Sequence, residues 1–152
     1  VEDIMAELKK GDRAPGFSLK DQDGNSVSLE NFKKSKVLLY FYPRADTPGC
    51  TKQACSIRDN MAALKKLGVV VLGISPDAPE RQKKFDDKYT LGFPLLSDTS
   101  HEVAGLYGVW KKLSLGIIRS SFLIGEDGRI LESWYRVKPQ DTVSNAVKVL
   151  EG

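Results

Sequence analysis

Apolar and polar positions along the chain follow two periods, and the switches between them mark its elements. Phe17 to Leu19 and Ser26 to Leu29 flank the turn-forming run Asp21-Gln22-Asp23-Gly24-Asn25, the signal of a β-hairpin. Val37 to Tyr42 is a nearly continuous apolar run of the kind found in buried parallel strands, and Pro43 keeps it from continuing as a central strand. Ala54, Ile57, Met61 and Leu64 recur at helical spacing, with Lys65 and Lys66 in the last turn and Gly68 as a stop, which predicts one helix. Val69 to Ile74 is a second buried strand. Pro79 to Tyr89 carries a crossover helix, Phe93 to Leu96 a further strand, and the segment around His101 to Leu106 a short helix. Ser120 to Ile124 and Arg129 to Trp134 flank Glu126-Asp127-Gly128, a second hairpin, and Val143, Ala146, Val147 and Leu150 form the stripe of a closing helix.

A βαβ half followed by a ββα half predicts an α/β, thioredoxin-like fold. Its central mixed β-sheet is flanked by helices and carries an N-terminal β-hairpin extension, with residues 1–152 forming a single domain. A 152-residue chain with 41% hydrophobic and 28% charged residues is large enough to bury its own core. No apolar run is long enough to cross a bilayer and the first residues are charged, so neither a membrane anchor nor an export signal is expected, and the location expected is cytoplasmic. The net charge of +3 comes from 23 basic and 20 acidic residues spread along the whole chain, which argues against a nucleic-acid partner.

The two cysteines redirect attention to the turn between the first buried strand and the long helix, Pro43-Arg44-Ala45-Asp46-Thr47-Pro48-Gly49-Cys50-Thr51-Lys52-Gln53-Ala54-Cys55. With Thr47 as N-cap and Pro48 at the first helical position, Cys50 falls at the third. There it meets amides without intrahelical partners and the positive end of the helix dipole, both of which favour thiolate over thiol. A free thiol is roughly 3% ionised at neutral pH, so complete ionisation gains only about thirtyfold in the reactive form. If the electrophile is a peroxide, fast O–O cleavage further needs donors that orient it and stabilise charge on its oxygens, each worth about 10² to 10³ in rate. The Thr47 hydroxyl, the free N–H groups of the helix start and an arginine from another strand are the groups to look for. The cysteine spacing adds a condition: residues five apart on an ideal helix have Cα atoms about 8.6 Å apart, beyond the roughly 7 Å limit of a disulfide. If Cys50 and Cys55 bond, the first turns of the helix must unwind.

Tyr40-Phe41-Tyr42-Pro43, followed by Asp46-Thr47-Pro48-Gly49-Cys50-Thr51 and Ala54-Cys55, resembles the peroxiredoxin signature, in its bacterioferritin comigratory protein or peroxiredoxin Q form. The likeness continues through Gly11-Asp12-Arg13-Ala14-Pro15, Gly73-Ile74-Ser75-Pro76-Asp77, Phe93 to Asp98, Tyr107 to Trp110 and Arg119 to Ile124. The resemblance implies a peroxidase with a peroxidatic Cys50, a resolving Cys55, Pro43 shielding the sulfur, Thr47 hydrogen-bonding the peroxide and Arg119 holding thiolate and transition state. It further implies that the Cys50 sulfenic acid condenses with Cys55 and that a thioredoxin-like dithiol re-reduces the disulfide. No metal, haem or flavin cofactor is expected, and because the resolving cysteine is intramolecular a monomer is expected. In two places the chain departs from related sequences: Gln53 stands where Glu is usual, and Arg44-Ala45 where Lys-Asp is more usual.

Other readings stand beside this one. A general thiol–disulfide oxidoreductase would share fold and thiolate but usually carries Cys-x-x-Cys, absent here. A redox-sensing or chaperone-like binding protein is the third. The single histidine, His101, reads as a surface or cap residue, and two cysteines with one histidine do not complete a structural zinc set. Trp110, Trp134 and the tyrosines read as core or rim packing.

Overall fold

The computed structural model describes residues 7–111, 113 and 116–152, so the charged first residues, on which the expectation of no export signal rests, lie outside it. In chain order the strands are β1 (Ser18–Lys20), β2 (Ser26–Ser28), β3 (Lys36–Phe41), β4 (Val69–Ser75), β5 (Leu95–Ser97), β6 (Trp110–Lys111), β7 (Gly116–Ile117), β8 (Ser120–Ile124) and β9 (Ile130–Trp134). The helices are α1 (Pro48–Asp59), α2 (Met61–Lys66), α3 (Pro79–Tyr89), α4 (Glu102–Leu106) and α5 (Thr142–Glu151). Short 3-10 turns cover Leu29–Phe32 and Pro139–Asp141. The main sheet has seven strands in the order β2-β1-β5-β4-β3-β8-β9, parallel across β5, β4 and β3 and antiparallel towards both edges. This is the mixed, helix-flanked sheet of the thioredoxin-like fold. The N-terminal hairpin is joined to it through the pairing of Lys20 with Ser97, as its edge.

β3 is paired on both sides and covered on both faces, which is why its sequence reads as an unbroken apolar run. Strand alternation sends Leu38, Tyr40 and Tyr42 into the layer with Cys50, Ala54, Ile57, Leu64, Phe85 and Ala146. Leu39 and Phe41 join Val103, Ala104, Tyr107, Phe122 and Ile130 on the other side.

Two local expectations are corrected. The helix expected through Met61 and Leu64 is broken at Asn60 (φ −111°, ψ 11°) into α1 and α2. Asparagine is a poor helix former, and here its Nδ2 donates back to the Ser56 carbonyl at 2.7 Å, a bond that competes with helix propagation. The apolar spacing survives because the interruption is one residue long, and Gly68 ends the segment with φ 76°. The β6–β7 pair was not expected, since two-residue strands are too short to show a period. Among the described residues no helix is long and apolar enough to cross a membrane.

The fold places two helix starts side by side. Parallel β3 and β4 end at the same level, Phe41 opposite Ile74, and the chain leaves each towards a helix, α1 and α3. The carboxyl ends of parallel strands are where open α/β sheets bind ligands.

Candidate active site

The loop from β3 to α1 is held at both ends. Tyr42 donates its amide to the Ile74 carbonyl at 3.0 Å, and the buried Ala45 donates its own to Asp77 Oδ2 at 2.7 Å. Asp46 turns the chain with a positive φ of 61°, a conformation Asp tolerates better than most residues. Its carboxylate accepts from Lys88 Nζ at 3.0 Å and from Tyr89 Oη at 3.1 Å. The hydrogen bond from Lys88, with a smaller one from Tyr89, holds the Asp46 carboxyl below its ordinary value. Pro43, at the strand exit, is exposed.

Thr47 occupies the N-cap position with extended backbone and Pro48 the first helical position, but the threonine side chain does not cap. Its hydroxyl donates to the Arg44 carbonyl at 2.8 Å, while its own carbonyl accepts the first helical bond from Thr51 at 2.8 Å. The first turn of α1 thus contains no side-chain cap and no acidic residue. Its amides face outward at the positive end of the helix, an arrangement that suits an anion.

Cys50 is the third residue of α1 and is buried, with 1% exposure. Arg119, between β7 and β8 and so at the entry to the strand beside β3, reaches it: Nη2 donates to the Cys50 sulfur at 3.5 Å. Nη1 donates to Gln53 Oε1 at 2.7 Å. Cys50 and Gln53 are three apart on one helical face, so the two arms of one guanidinium span one turn of α1. The Arg119 backbone is pinned in turn, its carbonyl accepting from the Val137 amide at 2.9 Å. Gly49 makes room for this approach, since a Cβ there would lie 3.0 Å from Arg119 Nη2. Gln53 is fully buried, and its Nε2 donates to Thr142 Oγ1 at 2.8 Å.

Cys55 lies on the same continuous helix, half-buried against the core, and both cysteines are free thiols. Under α1, Tyr40 is fully buried, stacked on Tyr42 with centroids 5.4 Å apart, and its hydroxyl has no partner among the described residues. Burial raises its phenol well above the ordinary value, with smaller contributions from Tyr42 and Cys50, so it remains protonated.

A buried thiol in the first turn of a helix, with an arginine at its sulfur, is a nucleophile's setting, and the comparisons with known proteins agree with it. Residues 10–133 match the AhpC/TSA family. The Escherichia coli (strain K12) protein Peroxiredoxin Bcp is 55% identical over 132 residues, covering 83% of this chain and 85% of that protein. The chain belongs to the AhpC/TSA family. It is a peroxiredoxin of the Bcp/peroxiredoxin Q kind, a thiol peroxidase. Among solved structures, peroxidoxin BcpB from Mycobacterium tuberculosis superposes with a TM-score of 0.90 at 33% identity, covering 95% of this chain and 97% of that one. The Xanthomonas campestris bacterioferritin comigratory protein, in a structure whose subject is alkyl peroxide reduction, superposes with a TM-score of 0.84 at 28% identity, covering 89% and 90%.

In this peroxiredoxin Arg119 touches Cys50 in the first turn of α1, Thr47 is the N-cap residue of that helix, Cys55 lies further along it, and Pro43 is exposed at the exit of β3. Sequence reasoning did not find Thr142, which is 89 residues from its partner Gln53 and carries no local signal. Gly49 was legible in principle. A glycine inside a helix is less favourable than alanine by about 1 kcal/mol, so one beside a cysteine marks a close approach.

Proposed function

We propose that this peroxiredoxin reduces hydrogen peroxide and organic hydroperoxides with Cys50 as the peroxidatic nucleophile. The thiolate attacks one peroxide oxygen and the O–O bond breaks. That oxygen stays on sulfur as a sulfenic acid, and the other leaves as water or alcohol once protonated. The observation that carries this reading is the 3.5 Å contact of Arg119 Nη2 with the buried Cys50 sulfur in a first turn free of carboxylates. The same guanidinium stabilises the negative charge that passes from sulfur to the departing oxygen. Thr47 gives its hydroxyl hydrogen to Arg44 and so retains lone pairs that accept from the peroxide O–H. Pro43 screens the approach from bulk water. The alkyl peroxide chemistry of the Xanthomonas campestris relative supports the inclusion of organic hydroperoxides.

In the second step the Cys55 thiol attacks the sulfenic sulfur, a disulfide forms and water leaves. Both cysteines sit on the intact α1, so the helix start unwinds for this step and re-forms when a thioredoxin-like dithiol takes the disulfide by exchange. Such a cycle suits the cytoplasm, where thiols are kept reduced, and needs no second copy of the chain. The test is mass spectrometry after one equivalent of peroxide. Wild type loses two hydrogens, and Cys55→Ser accumulates a sulfenic acid that dimedone traps on Cys50. Undiminished peroxide consumption by Cys50→Ser sinks the reading.

A further inference from the structure

The guanidinium that touches Cys50 is held by a chain of buried polar groups leading away from the sulfur. Arg119 Nη1 donates to Gln53 Oε1 at 2.7 Å, and Gln53 Nε2 donates to Thr142 Oγ1 at 2.8 Å. Both Gln53 and Thr142 are 0% exposed, so neither has water as a substitute partner. A guanidinium has only donors, which obliges the amide to turn its oxygen towards Arg119 and its nitrogen away. The nitrogen then needs an acceptor, and Thr142 is its acceptor in the structure.

Thr142 opens α5, and the turn before it, Pro139–Asp141, lies against the start of α1. Pro139 Cγ would be 3.7 Å from a Cβ on Gly49, on the side where Arg119 also stands. Without the hydroxyl, Nε2 is a buried donor with no partner, and nothing fixes which way the amide faces. An amide turned the other way presents N–H groups to a guanidinium that cannot accept them.

We propose that Thr142 is a positioning residue for the peroxidase reaction: by fixing the Gln53 amide it aims Arg119 Nη2 at the Cys50 sulfur. The relay is neutral throughout. Gln53 and Thr142 align the arginine without offsetting its positive charge, which stays available to the anion at Cys50 and to the departing oxygen. A carboxylate at position 53 would hold the arginine equally well while neutralising part of that charge. The inference rests on the reading of Cys50 as the peroxidatic residue.

The test measures the stopped-flow rate of first-step oxidation by hydrogen peroxide in Thr142→Val, Thr142→Ser, Gln53→Leu and Gln53→Leu/Thr142→Val, with melting curves and Cys50→Ser alongside. Misaimed donors lower rates steeply, so Thr142→Val is expected to lose about tenfold and Thr142→Ser to recover to within about twofold of wild type. The double variant is expected to be no slower than Gln53→Leu, because Thr142 acts only through the amide. A Thr142→Val rate equal to wild type overturns the inference. So does loss in Thr142→Ser equal to that in Thr142→Val, or additive losses in the double variant. If Thr142→Val does not fold, Thr142→Ala against Thr142→Ser decides on the same criteria. Peroxide consumption by Cys50→Ser marks failure of the underlying site reading, whereas an inactive Cys50→Ser with a fast Thr142→Val removes Thr142 alone.

Discussion

Two helices begin side by side at the carboxyl ends of the parallel strands, and only one of them is left chemically unsatisfied. α1 and α3 both have proline in their first turn and an extended N-cap whose side chain makes no capping bond. At the start of α3 the chain supplies its own anions: Glu80 lies in the first turn, and Asp77 pairs with Arg81 at 3.1 Å. The buried Gln82 of α3 is consumed structurally, accepting from Tyr42 at 2.5 Å and donating to Ser75 and Leu96 at 2.9 and 3.0 Å. The first turn of α1 contains no carboxylate, and Asp46, which precedes it as Asp77 precedes α3, is bound to Lys88 and Tyr89; the second position is glycine, the third is the Cys50 thiol, and the buried Gln53 holds an arginine over it. One N-terminus is closed by internal charge and the other is left open to an anion. The same backbone device thus serves stability at α3 and, on the proposed reading, reactivity at α1.

The arginines at the two starts separate these roles most sharply. Arg119→Leu is expected to slow Cys50 oxidation by about 10² to 10³, since it removes a donor aimed at developing charge. Arg81→Leu breaks a half-exposed pair worth about 1 kcal/mol or less, and should leave the peroxidase rate within about twofold of wild type. Stopped-flow oxidation beside urea unfolding reads both, and equal rate losses in the two variants would erase the distinction.

The second helical positions give the next largest contrast. Gly49→Ala sets a Cβ 3.0 Å from Arg119 Nη2, so the guanidinium must move and the oxidation rate is expected to fall about tenfold. Alanine is the better helix former by up to about 1 kcal/mol, so stability should hold or rise as activity falls. Glu80→Ala, at the matching position of α3, should cost a few tenths of a kcal/mol and no activity. Parallel loss of rate and melting temperature in Gly49→Ala would indicate that the glycine serves packing alone.

Beneath the helix starts lie two buried tyrosines of opposite status. The Tyr42 hydroxyl is bonded to Gln82 and the Tyr40 hydroxyl has no partner among the described residues. Tyr42→Phe is therefore expected to destabilise by about 1–2 kcal/mol, and Tyr40→Phe to be neutral or stabilising by up to about 1 kcal/mol in urea titrations. Reversal of that order would mean that Tyr40 has a partner in solution.

The smallest effect concerns the loop carboxylate Asp46. Its folded-state pKa is depressed, chiefly by the hydrogen bond from Lys88, so its contribution to stability is complete above the unfolded value of about 3.9 and disappears as pH falls through the lower folded value. The difference in urea midpoint between wild type and Asp46→Asn should accordingly be larger at pH 6 than at pH 3. A difference independent of pH would assign the loss to loop geometry and not to charge.

Most elements were legible because each carries a local signal. The span Pro79 to Tyr89 read from the sequence coincides with α3, and Cys50 stands at the third position of α1, where Thr47 and Pro48 imply it. The misses have local causes too: Asn60 interrupts a helix without disturbing its apolar spacing, and β6 and β7 are too short for periodicity. The arginine was reachable only through resemblance, since nothing in the residues around Arg119 separates it from a surface arginine. Thr142 was not reachable at all.

By itself the sequence determined the order and kind of most elements and singled out the Cys50 sulfur as the candidate nucleophile, because periodicity, capping and the free amides of a helix start depend on residues within a few positions of one another. Only the tertiary structure decided what surrounds that atom. Arg119, Gln53 and Thr142 come from a strand entry and two helices and meet within hydrogen-bond distance because the sheet order sets β8 beside β3 and the Pro139–Asp141 turn against α1. Contacts between residues 66 and 89 positions apart are fixed by chain packing, and no local pattern encodes them.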